Sequence, residues 1–206
     1  MVEVLSGVKL VRERDAVLLA NSRRKKGFEP KSIRLWGELS SCGGLVVDAG
    51  AYTGFYSILA SLSGARVVAY EPNAVAVARM KENIEINGVK RIVIRRRALS
   101  DRDGYASLYG RAPMSSAGNI VSGDNRIGSV RTCRLDGEGL SGVAAIKIDV
   151  ERSELALLRG AMQTIESQRP HILIEALDGA DDIDSILLPL RYSRSKLDAG
   201  MYHYCP

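Results

Sequence analysis

At 206 residues, with 46% hydrophobic and 26% charged side chains, the chain has apolar material for one full α/β core and too little length for two typical domains. No run approaches the ~20 apolar residues of a membrane span, and the N-terminus lacks the apolar stretch of a signal peptide, so the chain reads as cytoplasmic. Of the net charge of +5, most falls in residues 1–40, where nine Lys or Arg face five Asp or Glu. That basic segment is expected to pack on a single domain formed by residues 41–206.

In chain order, a helix near Pro30 to Leu39 precedes strict alternation of strand and helix signals. The apolar run from Leu45 to Val47 suits a central parallel strand, which buries both its faces. A helix from about 53 to 62, a strand at 66–70, a helix from about 73 to 86 ending at Asn87-Gly88, and a strand at 91–96 complete a right-handed βαβαβ unit. Residues 98–134 break the rhythm, with a turn at Asp101 to Gly104, a short strand from Tyr105 to Tyr109, and a Gly/Ser-rich loop from Pro113 to Gly128 that reads as a hairpin or mobile lid. The alternation resumes with a strand at 144–149, a helix at about 153–167, a strand at 171–175, a helix at about 182–189, and closing strands near 191–197 and 201–204. The pattern predicts a doubly wound, Rossmann-like α/β fold, mostly parallel with an antiparallel C-terminal strand.

The most informative stretch is Asp48-Ala49-Gly50-Ala51-Tyr52-Thr53-Gly54. Gly50 permits a tight turn and a close ligand approach, and Thr53 is placed to cap the following helix. A dinucleotide fingerprint carries glycine where this loop carries Asp48, and a carboxylate there repels phosphate and suits a cationic ligand. S-adenosylmethionine (SAM), with an ammonium, a sulfonium and no phosphate, fits. Glu71 ends the next strand at about the 20-residue separation from which an acid accepts both ribose hydroxyls, and Pro72 and Asn73 begin the helix after it.

A second acidic cluster, Asp149 and Glu151, follows the strand from Ala144 to Asp149, and Glu175 ends its neighbour. At the switch point of a doubly wound sheet the strands ending in Asp48 and Asp149 are adjacent, so these acids face the ligand crevice. Asp149 or Glu151 can remove a proton from a substrate directly or by holding a divalent metal such as magnesium. Lys147 shares the strand face of Asp149 and either orients an acceptor or forms an ion pair. Glu154 reads as a helix N-terminal acid.

Other features read as structural. Cys42, Cys133 and Cys205 lack a C-x-x-C pair, so they indicate neither a disulfide framework nor a zinc site and read as packing residues. His171 reads as a surface residue away from the crevice, and His203 as a lone near-terminal histidine. The basic runs Arg23-Arg24-Lys25-Lys26 and Arg95-Arg96-Arg97 can follow a phosphate backbone, but no aromatics interleave them and they read as solvated faces.

Taken together, the glycine turn, Glu71-Pro72-Asn73, Asn83 to Gly88, Ala98-Leu99-Ser100-Asp101, Lys147 to Glu151, Leu158-Arg159-Gly160-Ala161 and Arg169 to Glu175 resemble, in order and spacing, the FkbM-type SAM-dependent methyltransferases. The resemblance implies a class I methyltransferase fold acting on hydroxyl oxygens of sugars, lipids or polyketide-like metabolites. It also implies cofactor contacts at Asp48, Gly50, Tyr52, Thr53, Gly54, Glu71, Pro72, Asn73, Ala98 and Leu99. Two positions depart from the family pattern: Tyr52, where Asn is usual, and Arg152, where Gly normally follows the acid. An RNA methyltransferase, or a non-catalytic adenosine-binding module that would not need Asp149 and Glu151, are the alternative readings.

Overall fold

The structure is a computed structural model that describes residues 2–11, 29–110, 120–121, 125–176 and 180–206. It opens on a hairpin of β1 (Val2–Leu5) and β2 (Val8–Val11). Its two-residue turn, Ser6-Gly7, has φ values of 48° and 83°, the pair of positive angles that matches the twist of a tight hairpin. Next come α1 (Pro30–Ser41), β3 (Leu45–Ala49), α2 (Phe55–Ser63), β4 (Arg66–Tyr70), α3 (Ala74–Asn87) and β5 (Ile92–Arg95). The short β6 (Ala98–Leu99), β7 (Gly104–Tyr109) and β8 (Arg126–Cys133) make a separate three-stranded sheet. The remaining elements are β9 (Val143–Ile148), α4 (Glu154–Gly160), α5 (Met162–Gln168), β10 (His171–Glu175), α6 (Asp181–Leu187), β11 (Ser193–Lys196) and β12 (Met201–Cys205).

The main sheet has seven strands in the order β11-β12-β10-β9-β3-β4-β5. Strands β10, β9, β3, β4 and β5 run parallel, and β12 lies antiparallel to both β10 and β11. Chain order reverses at β3, which pairs β4 on one side and β9 on the other. Every residue of β3 is buried, as a central parallel strand covered on both faces requires. The expected doubly wound class I methyltransferase architecture is therefore present.

Alternation along the strands divides the core in two. Val47, Ile146, Ile148, Ile172 and Ile174 point to the face covered by α4, α5 and α6. Val46, Ala145 and Leu173 point to the face of α1, α2 and the N-terminal hairpin, where Trp36 is fully buried and its indole N–H donates to the Tyr56 carbonyl at 3.0 Å. The hairpin is fastened to α3 by side-chain amides. Asn83 accepts from Val11 N–H, and Asn87 accepts from Lys9 N–H while donating to the Lys9 carbonyl.

Several local expectations change. The helix expected at 153–167 is two helices that break at Ala161. Gly160 lies against the Ser100 carbonyl, which a Cβ there would meet at 1.9 Å, so the last turn of α4 is fixed by its contact with the strand of Leu99. Thr53 does not cap α2. Gly54, at φ 87°, holds the N-cap position, and the Thr53 hydroxyl is buried without a partner. The lid expected at 113–128 falls largely outside the described residues, and its last three, from Arg126, belong to β8. The Arg23 to Lys26 run is likewise outside them. Among the described residues no helix is long and apolar enough to cross a membrane.

Candidate active site

The carboxyl ends of β3, β4, β9 and β10 converge at the switch point. At β3, Gly50 has φ 78°, and its N–H and that of Ala51 both donate to the Tyr70 carbonyl, at 3.0 and 3.1 Å. A Cβ on Gly50 would lie 1.7 Å from the Asp149 carbonyl oxygen. The close approach that demands glycine is thus to the neighbouring chain after β9. Gly54 is similarly confined, with Met80 Cγ at 2.6 Å from a Cβ built on it.

Glu71 is 7% exposed. Its two carboxylate oxygens accept from Tyr52 N–H at 2.8 Å and Asn73 N–H at 2.7 Å. The acid therefore ties the glycine turn to the start of α3, whose first turn Asn73 caps by accepting from Val75 N–H. Burial pushes its pKa up to about 7, with the two amides opposing the shift. Each oxygen retains a second lone pair for a further donor. Pro72 is partly exposed beside it, and Ala98 and Leu99 are buried in β6, where Leu99 joins the core cluster of Val68, Tyr70 and Leu135.

Asp48, expected from sequence to face a cationic ligand, lies near the carboxyl end of β3. It is 1% exposed, accepts from Ser57 O–H at 2.6 Å, and lies in register with Lys147 across the β3–β9 pair. Burial raises its pKa against the pull of Lys147 and Ser57. Its side chain points toward α2, as residues at even positions of β3 do, and its second oxygen is buried without a hydrogen-bond partner.

Lys147 is the hub of the β9 side of the crevice. It is 2% exposed, with Nζ 3.0 Å from Asp149 Oδ2 and 4.6 Å from the centre of the Tyr56 ring. Burial alone would lower its pKa, but Asp149, Asp48 and Glu29 together hold it raised and the ammonium charged. The ion pair read from sequence is present. Tyr56 O–H donates to Glu29 at 2.5 Å. Sequence reasoning did not single out Glu29, Tyr56 or Ser57. A polar Ser57 on the buried face of α2 was the one readable signal.

Asp149 sits just past β9, its side chain one-third exposed. Burial opposes ionisation, yet Lys147 and a hydrogen bond from Glu175 keep its pKa lowered. Glu175 moves the other way: burial, the Asp149 charge and its hydrogen bond to Asp149 all raise its pKa. Glu151 is pushed up to about 7 by burial, then by Asp149 and Glu154. Carboxylate oxygens of Asp149, Glu151 and Glu175 all lie within 4.8 Å of one another. The three acids expected from sequence are thus brought together, while Glu154 accepts from Arg152 N–H at the start of α4.

Both departures from the family pattern occupy left-handed backbone, Tyr52 at φ 47° and Arg152 at φ 73°, next to Glu151 at φ 52°. Asn and Gly tolerate that region best, which accounts for the usual residues at these places.

Comparison with known proteins agrees with this geometry. The family model for the methyltransferase FkbM domain matches residues 48–194. Methyltransferase FkbM from Methylobacillus flagellatus KT is similar at 17% identity and a TM-score of 0.57, covering 79% of this chain and 43% of that one. This chain therefore spans less than half the length of that protein. A SAM-dependent methyltransferase from Agrobacterium tumefaciens aligns over 99% of this chain and 68% of its own, with 11% identity and a TM-score of 0.57. A Streptococcus mutans chain assigned as a methyltransferase, in complex with SAH, covers 84% and 94% at 11% identity and a TM-score of 0.50. No curated protein matches by sequence. With the family match running from the glycine turn through both acidic strand ends to β11, the chain belongs to the FkbM methyltransferase family.

Proposed function

We propose that the chain is a SAM-dependent O-methyltransferase whose acceptor is a hydroxyl on a sugar, lipid or polyketide-like small molecule. The observation that carries this reading is the group of Asp149, Glu151 and Glu175 beside the glycine turn, their carboxylate oxygens all within 4.8 Å of one another. A non-catalytic adenosine-binding module has no use for them. The cofactor half fits SAM through the strand-end acid Glu71, fixed by two backbone amides with lone pairs left for the ribose hydroxyls. Gly50, Tyr52, Thr53 and Gly54 form the turn that would receive the methionine part, with Pro72, Asn73, Ala98 and Leu99 toward the adenine. SAM, when bound, supplies an electrophilic methyl group.

The chain's own residues then hold the acceptor and take its proton. Glu151, with a pKa near the working pH, suits a general base. Asp149 is held ionised by Lys147 and orients the hydroxyl, while protonated Glu175 fixes Asp149. A magnesium ion is a second use for the three acids, but the Lys147 ammonium 3.0 Å from Asp149 already occupies one of the oxygens it would need, which favours proton transfer. Glu71 is too firmly bonded to its amides to share that task.

One observation favours RNA as a second acceptor reading. A groove of about 640 Å³ opens beside Pro72 and Asn73 and is lined by Arg95, Arg96, Arg97 and Arg131 together with Tyr105, which is 80% exposed. Incubation of the chain with isotopically labelled SAM and separate pools of metabolites and RNA, read by mass spectrometry, tests both. Label in a hydroxyl of a small molecule is the expected result. Label only in RNA moves the assignment to the second reading, and label in neither pool, with no SAH binding, overturns both.

A further inference from the structure

One face of β10 ends in Glu175 at the crevice and begins with His171 at the opposite end of the sheet. We infer that His171, His203 and Cys205 form a binding site for a zinc-class divalent cation. The register pairs Ile172 with Tyr204 and Leu173 with His203. Side chains two apart on a strand share a face, so His203 and Cys205 project together from β12, and His171 joins them from β10 one residue along the same ladder.

The donors are close enough to share one ion. His171 Nδ1 is 3.0 Å from His203 Nε2, and the ligand atoms of all three residues lie within 4.8 Å of one another. Two nitrogens on one tetrahedral zinc at ~2.0–2.1 Å are necessarily about 3.3 Å apart, so the imidazoles need only separate slightly. The sulfur, bound at ~2.3 Å, closes the rest by a turn about χ1 of Cys205, a free and half-exposed thiol. Two imidazoles and a thiolate are the nitrogen and sulfur donors that zinc takes, whereas magnesium and calcium call for oxygens. A water completes the fourth position, and the Cys205 thiol releases its proton on binding.

The site has a structural consequence. β12 reaches the parallel part of the sheet only through β10, and β11 beyond it is exposed throughout. An ion held by both strands fastens this antiparallel edge. His171 precedes Glu175 by four residues, about 13 Å along the strand, so the cation acts on stability and leaves the acids of the crevice alone.

Cobalt(II) titration of the full chain provides the test. A thiolate-to-cobalt charge-transfer band with tetrahedral visible bands, saturating at one equivalent and displaced by zinc, is expected. Cys205→Ser should abolish the charge-transfer band, and Cys42→Ser should leave it intact. Competition with a chromogenic chelator should show zinc affinity at least ~10-fold weaker in His203→Ala and His171→Gln, since even outer partners of ligands are worth 10–100-fold. Zinc should also raise the melting temperature of the wild type and not of Cys205→Ser. Near-UV circular dichroism confirms that each variant is folded. No cobalt–thiolate band in the wild type, or zinc affinity unchanged in Cys205→Ser, overturns the site and leaves the 3.0 Å contact as a hydrogen bond between two imidazoles.

Discussion

The two halves of the crevice hold their acids by opposite means. On the β4 side, Glu71 is fixed by backbone amides of Tyr52 and Asn73, neutral donors that belong to the glycine turn and the start of α3. On the β9–β10 side, Asp149 is fixed by a buried ammonium and a neighbouring carboxyl. A carboxylate held by amides keeps a fixed position and a lone pair on each oxygen, which suits a ligand that must always be held the same way. A carboxylate held by Lys147 and Glu175 belongs to a set of neighbouring groups that can each give or take a proton, which suits chemistry. Under the proposed function, binding belongs to one half and proton handling to the other.

That division predicts, as its largest effect, that Glu151→Gln lowers turnover by ~10²–10⁴ while SAH affinity stays within a factor of two or so of the wild type. Single-turnover kinetics on the acceptor found by the labelling screen measures it, and undiminished turnover would leave positioning alone as the source of rate.

Lys147→Met should come next. It removes the cation shared by Asp48 and Asp149, and breaking a buried pair from one side costs about 3–5 kcal/mol. Urea denaturation at pH 7 reads the loss. The deficit should shrink as pH falls, because protonating the stranded acids removes their charge. A variant of wild-type stability at pH 7 would mean that the acid cluster does not depend on its lysine.

A pH titration sharpens the contrast on the binding side. Glu71 titrates near pH 7 because of burial, and below that pH it carries a proton that a ligand drawing on its charge must displace. SAH affinity should therefore rise by up to about tenfold per unit as pH increases toward 7 and level off above it. Calorimetry across pH 5.5–8.5 checks this, with Glu71→Gln expected to flatten the profile. A wild-type affinity that falls as pH rises would contradict it.

How far the sequence carries this picture depends on the distance over which each residue acts. The glycine turn, Glu71 and the acids at Asp149 and Glu175 are legible because each ends its own strand, and parallel strands deliver their ends to one rim. Tyr56 and Glu29 are not legible as a pair, since 27 positions separate them and only the packing of α1 on α2 brings the hydroxyl to the carboxylate. Thr53 looked like a cap by residue type, but the left-handed turn at Gly54 took that position. The hairpin at Val2 to Val11 has a local signal, Ser6-Gly7 between alternating apolar residues, within a segment whose composition is dominated by basic charge. His203 looked solitary because its partner His171 is 32 positions away and meets it only through antiparallel pairing, and cysteine spacing says nothing about a site with one cysteine.

The smallest expected effect concerns the strained rim. Arg152 at φ 73° sits in backbone that costs a non-glycine residue about 1–2 kcal/mol, while glycine carries an entropic penalty of about 0.5–1. Arg152→Gly should then stabilise the fold by about 0.5–1 kcal/mol in urea denaturation. A destabilised variant would show that the arginine makes contacts worth more than the strain.

The separation of tasks is tested most directly by titrating SAH into wild type, Glu71→Ala and Glu151→Gln by calorimetry, which needs no knowledge of the acceptor. Loss of a charged hydrogen-bond acceptor predicts a weakening of about 1.5–3 kcal/mol, roughly 10- to 150-fold, in Glu71→Ala, and no appreciable change in Glu151→Gln. Equal losses in the two variants, or a loss confined to Glu151→Gln, would contradict the assignment of binding to the β4 side and proton transfer to the β9–β10 side.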